Sequence, residues 1–205
     1  MTVHTAEEKR HQHIVEYILY VWQMEDLVRA VGMDLGALRS HLSTAYTGDR
    51  LEAELVWFGE LIRSLKSENK TSSGHISALD EVMIELTYLH QTLLEVLKDE
   101  EYREAVEKAR PHLKAMAERG AEQRTEVEAM LVALYGWLVL RMGGKTVSPE
   151  TEESLAVIRD WANLFGGRYT QKFRKFGVIG FHHVRILPRT RLFGAFFGFF
   201  LLEIF

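Results

Sequence analysis

The chain has 205 residues, 47% of them hydrophobic and 26% charged, enough apolar material for one domain with a sizeable core. It contains no cysteine, which excludes a disulfide framework, a thiolate nucleophile and a thiolate metal site, and fits a reducing compartment. The net charge of −4 is unevenly spread: residues 168–205 hold seven Lys or Arg against one acid, a net of +6, and the remainder holds 18 against 28, a net of −10. An acidic body argues against nucleic acid as a partner.

The polar start, "MTVHTAEEKRHQH", has no apolar run and does not read as a secretory signal, so a cytoplasmic protein is expected. A first helix is expected from Thr5, followed by the acids Glu7 and Glu8, to the region of Gly32. A short helix capped by Asp34 follows, "DLGALRSHLSTAY". The next, "RLEAELVWFGELIRSLKSE", carries Leu51, Leu55, Phe58, Ile62 and Leu65 on one side and is broken by "NKTSSG". "HISALDEVMIELTYLHQTLLEVLKDEE" is a further helix, and "YREAVEKAR" reads as a charged connector. Pro111 is expected to open a helical run to Met142, weakened at Gly120. Gly143 and Gly144 end it, and Ser148 caps a last helix with Pro149 in its first turn, running to about Tyr169.

Only three prolines occur, and there is no strand alternation, glycine fingerprint or internal repeat. The expected fold is all-α, an antiparallel up-and-down bundle of four to six helices occupying residues 1–171. Residues 172–205 form an atypical tail; nine of the eleven phenylalanines lie from Phe173 onward. Its last apolar run, Leu192 to Phe205, has 14 residues, short of the ~17–25 that span a bilayer. Three readings of the tail are open: an interfacial anchor, an extra packing or oligomer contact, or a foreign or frameshifted 3′ end.

Several ionisable residues sit on apolar stripes. With about 100° per residue, Glu25 falls at the centre of the stripe made by Ile14, Ile18, Val21 and Val28, with Arg29 one turn on. His90 falls within the stripe of Leu79, Val82, Met83, Leu86, Leu93, Leu94 and Leu97, and Arg141 lies on the margin of that of Val127, Met130, Leu131, Leu134 and Leu138. A charge in a core needs a partner. Glu25, Arg29, His90 and Arg141 are therefore the candidate buried polar cluster, with Arg29 or His90 as the expected partner of Glu25. No catalytic residue, metal set or cofactor is identified; the one Glu-x-x-His, Glu8 to His11, lies at the polar N-terminus.

The segments "EYILYVWQMEDLVRA" (16–30), "LHQTLL" (89–94), "LYGWLVLRMGGKTVSPETEES" (134–154) and "RYTQ" (168–171) resemble a bacterial family, mostly from Bacteroidetes, known only as a domain of unknown function. The resemblance runs in order over about residues 5–171 and includes Glu25, Asp26, His90, Arg141 and Thr151. It implies no activity. Members of that family end soon after the position of Gln171 with a short acidic ending, and this chain departs there, which favours the foreign reading of the tail. The expected function is that of a non-enzymatic bundle acting through a homo-oligomer or a protein partner. Two alternatives stand beside it: a small-molecule or metal-binding bundle using the Glu25, His90 and Arg141 cluster, and membrane association through the tail alone.

Overall fold

The computed structural model describes residues 4–117 and 125–175; the tail readings fall outside these residues, apart from the last turn of the final helix. The described chain is all-α, with helices α1 (Thr5–Gln12), α2 (Ile14–Ala30), α3 (Leu35–Leu42), α4 (Gly48–Ser67), α5 (Ser77–Gln91), α6 (Glu100–Ala117), α7 (Glu126–Met142) and α8 (Pro149–Lys175). A π-helical turn, Thr92–Val96, extends α5.

Two apolar cores share one helix. The larger is built from α2, α5, α6, α7 and α8, with Trp161, Phe165 and Tyr102 among its largest enclosed side chains. The smaller is built from α2, α3 and α4 around Phe58, Leu38 and Leu65. The first half of α2, from Ile14 to Trp22, serves the large core, and Met24, Leu27 and Val28 serve the small one. The described residues form eight α-helices where four to six were expected; five of them build the main core. Of the remaining three, α4 builds the smaller core with α2 and α3, and the short helices α1 and α3 pack on α2 and α4.

Three departures from expectation each have a local reason. The first expected helix is cut at His13, which is extended at φ −158°. His13 is the N-cap of α2: its Nδ1 accepts from the Glu16 N–H at 3.4 Å. Burial pulls its pKa below the usual histidine value, which favours the neutral ring a cap acceptor requires. The expected connector "YREAVEKAR" is helical, because Tyr102, Val106, Ala109 and Leu113 line one buried face at helical spacing. Pro111 therefore lies inside α6, not at its start, and is tolerated on the exposed side. The third difference is the π turn. Leu97 N–H reaches Thr92 O at 2.9 Å, adding a residue to the turn, so Leu97 rotates off its expected stripe and is exposed while Leu93 stays buried. Two expected caps are made: Asp34 Oδ1 accepts from Gly36 N–H at 2.7 Å, and Ser148 Oγ from Thr151 N–H at 3.2 Å, while α5 starts at Ser77 and not His75, and α8 runs past the expected end near Tyr169 to Lys175.

The His13 break depends on a glycine in α8. A Cβ placed on Gly166 would lie 2.2 Å from His13 Nε2 and 2.3 Å from its Cε1. The ring cannot yield without losing its cap. Gly166→Ala is expected to cost about 1–3 kcal/mol by overpacking. In urea melts its effect should shrink in a His13→Ala background, and additive losses would show that the ring is not what the methyl meets.

Candidate functional site

Glu25 is 0% exposed, and its two oxygens are held by different groups. Oε2 meets His75 Nδ1 at 2.5 Å, and Oε1 accepts the Ile76 N–H at 2.9 Å. Both donors lie in the link between α4 and α5, at the seam of the two cores. This corrects the pairing expected from sequence. Arg29 does not reach Glu25: its guanidinium donates to Asp26 Oδ1 at 2.9 Å, to Lys70 O at 3.2–3.3 Å, and to Gly74 O. The i,i+4 spacing allowed the Glu25–Arg29 pair, but the exposed backbone carbonyls of the link offered the guanidinium several acceptors at once. One helix, α2, thus holds this link twice, by its amide and imidazole donors through Glu25 and by its carbonyls through Arg29.

The His75 ring lies flat on Trp22, with centroids 4.5 Å apart and planes 17° apart. Tyr135 of α7 meets the same indole edge-on at 5.4 Å, and its hydroxyl donates to Asp26 Oδ2. Burial, and then the Asp26 carboxylate, push the Tyr135 phenol well above its ordinary range. Asp26 is engaged at both oxygens, by Arg29 and Tyr135. A carboxylate accepting Nδ1–H leaves the neutral ring with its lone pair on Nε2. The His75 side chain is 41% exposed, and Nε2 has no hydrogen-bond partner among the described residues. The result is an oriented imidazole with a buried carboxylate behind it and solvent in front.

His90 is buried as expected, but in a separate centre. Its Nε2 meets Glu126 Oε2 at 3.0 Å and its Nδ1 meets the Tyr102 hydroxyl at 2.8 Å, so neither nitrogen is left for Glu25. Arg110 Nε closes on Glu126 Oε1 at 2.5 Å, making a chain that joins α5, α6 and α7. The His90 hydrogen bond, helped by Arg110 and opposed by burial, holds Glu126 down at about 2. Burial raises the Tyr102 phenol. Arg141 belongs to neither centre. It is exposed, with its guanidinium carbon 4.9 Å from the Trp137 ring centroid, because a residue at the stripe's margin turns outward in the last turn of α7.

A further buried acid escaped the sequence reading. Glu54 of α4 is fully enclosed; its Oε1 accepts from Thr5 N–H at 2.7 Å and Thr5 Oγ1 at 2.5 Å, and meets Arg50 Nε at 3.2 Å. Its position beside Leu61 and Leu65 on the wheel of α4 would have revealed it. His75 carried no such signal, since it lies in a link with no periodicity. Among the described residues no group of three or more His, Asp or Glu is arranged to hold a metal ion.

Two consequences are measurable. Glu25→Ala strands the Ile76 N–H and the His75 Nδ1–H, and should cost about 3 kcal/mol in urea unfolding; a loss under about 1 kcal/mol would mean that water replaces both bonds. Glu126 has its pKa lowered from 4.5 to about 2, so its contribution is complete above pH 4.5 and lost as pH falls toward 2. Unfolding free energy should decline over that acid window, and Glu126→Gln should flatten the decline.

A family model described as Domain of unknown function (DUF4924) matches residues 2–175. Comparison with curated proteins and with solved structures finds no match. The match spans both cores and both polar centres, and the chain belongs to the DUF4924 family.

Proposed function

We propose that the protein is a non-enzymatic helical bundle that works by self-association, and that α7 provides the contact. The observation that carries this reading is the outward face of α7. Val132, Val139 and Leu140 are 40%, 42% and 38% exposed, and Gly136 and Gly143 lie exposed among them. Between Val132 and Leu140 no charged residue stands on this face, although the opposite face of the same helix fills the main core. A helix apolar on all sides is normally enclosed on all sides. Gly136 has open space where a Cβ would stand, so another helix can approach its backbone closely.

A second copy is the occupant that fits. An antiparallel crossing centred on Gly136 sets Val132 of each copy against Leu140 of the other, the self-complementary arrangement a two-fold contact requires. It also brings the first turn, with Glu128, beside the basic end of the other copy, with Arg141 and Lys145. Within this reading the buried centres at Glu25 and His90 act as locks between helices. Among the described residues no helix is long and apolar enough to cross a membrane. A cytoplasmic setting in a bacterium accords with the cysteine-free composition and belongs to the same proposal, as does the absence of a nucleic-acid partner.

Light scattering on the full chain at about 0.1 mM, where a micromolar dimer is saturated, should give twice the monomer mass. Val139→Glu and Leu140→Glu should return it to the monomer, while Val56→Glu on exposed α4 should not. A monomeric parent, or an oligomer indifferent to both α7 substitutions, would remove the α7 contact.

A further inference from the structure

The link between α4 and α5 holds more than the binding of Glu25 requires. Residues 70–75 read "KTSSGH", and 71–74 are exposed. None of the amide N–H groups of residues 71–75 has a hydrogen-bond partner among the described residues. The link thus carries five available amides, the hydroxyls of Thr71, Ser72 and Ser73, and the Lys70 ammonium, 3.3 Å from Glu68. It runs directly into α5, where the Ile76 and Ser77 N–H groups are already taken by Glu25 Oε1 at 2.9 Å and Glu68 Oε2 at 2.6 Å, so the donors open to a ligand are those of the link itself. Concentrated N–H and O–H donors beside a cation suit a phosphate oxyanion. At the end of this run stands His75, with Nε2 open and Nδ1 on a buried carboxylate.

We propose that His75 is a phosphoryl-acceptor site, taking the group at Nε2 from a small phosphodonor with a labile bond to phosphorus. With phosphoramidate as donor, the Nε2 lone pair forms the new N–P bond. The donor's own P–N bond breaks and its electron pair leaves with ammonia. The ring keeps its Nδ1 proton, becomes cationic, and is stabilised by the Glu25 carboxylate 2.5 Å away. The clamp on the link serves this step, since Arg29 and Glu25 hold the imidazole before the donor arrives. The other histidines with described bonds lack the combination. His90 has both nitrogens occupied; His13 and His4 use Nδ1 as helix caps; His112 Nδ1 faces the Ser154 hydroxyl at 3.0 Å. The site lies apart from the α7 face and does not depend on self-association.

The test is incubation of the full chain with potassium phosphoramidate, read by intact mass, phosphorus NMR and neutral-pH peptide mapping. A single acid-labile phosphoryl group on His75 is expected, absent in His75→Gln. Glu25→Gln, if folded by circular dichroism, should slow labelling on the order of tenfold, the worth of a charged hydrogen bond. If that variant unfolds, the site map of the parent chain decides alone. Labelling spread evenly over His11, His41 and His75, or undiminished in His75→Gln, overturns the proposal.

Discussion

A carboxylate with no access to solvent has to be given donors by the protein itself, and Glu25 stands where the two cores meet on one helix. Because α2 serves the large core with its first half and the small core with its second, the seam between them passes through this residue. The donors come from a link that has no regular structure of its own. Satisfying Glu25 therefore orders the Ile76 amide and the His75 ring, and Arg29 from the same helix takes up the carbonyls on the other side of the link. The orientation of the His75 ring, with Nδ1 on the carboxylate, follows from the need to neutralise a buried acid.

The same solution recurs across the fold. Glu54 is met by the first residue of α1, which fixes that short helix against α4. Glu126 gathers His90 and Arg110, tying α5 and α6 to α7. Asp99 meets Arg168 at 2.6 Å, joining the start of α6 to the far part of α8. In each case the acid on one element finds its partner on another. Such contacts add little net stability over apolar packing, but a wrong register would leave a charge stranded, so they select one arrangement of helices. That selection also fixes the direction in which α7 turns its outward apolar face.

Much of the fold was legible from local chemistry. Asp34, Ser148, Pro149 and the glycines after Met142 mark helix ends by capping and backbone freedom, and they do so in the structure. What misled was evidence of the same local kind standing alone. Pro111 looked like a helix start because proline is favoured there, yet the buried stripe of Tyr102, Val106, Ala109 and Leu113 outweighed one lost hydrogen bond. His13 gave no sign of breaking a helix, since its role as a cap requires Gly166 of α8, 153 positions away, to make room for the ring. Leu97 left its stripe because a single π turn shifted the phase.

For the site, the wheel identified Glu25 and His90 as residues that would be buried, because burial follows from periodicity, a property of one helix. It could not name their partners. Pairing depends on which segments the two cores bring together, and the contenders closest in sequence were outbid by backbone amides and a link histidine. Arg141 shows the limit at a stripe's edge, where a few degrees of rotation decide between core and solvent. The amino-acid order by itself determined an all-α chain, its main helices and the presence of buried charge, through 3.6-residue spacing and capping chemistry. Only the tertiary structure decided that Glu25 answers to His75 and Ile76, that His90 belongs to a separate centre, and that one side of α7 is left uncovered. Those facts are set by contacts between residues far apart in the chain, which no local pattern encodes.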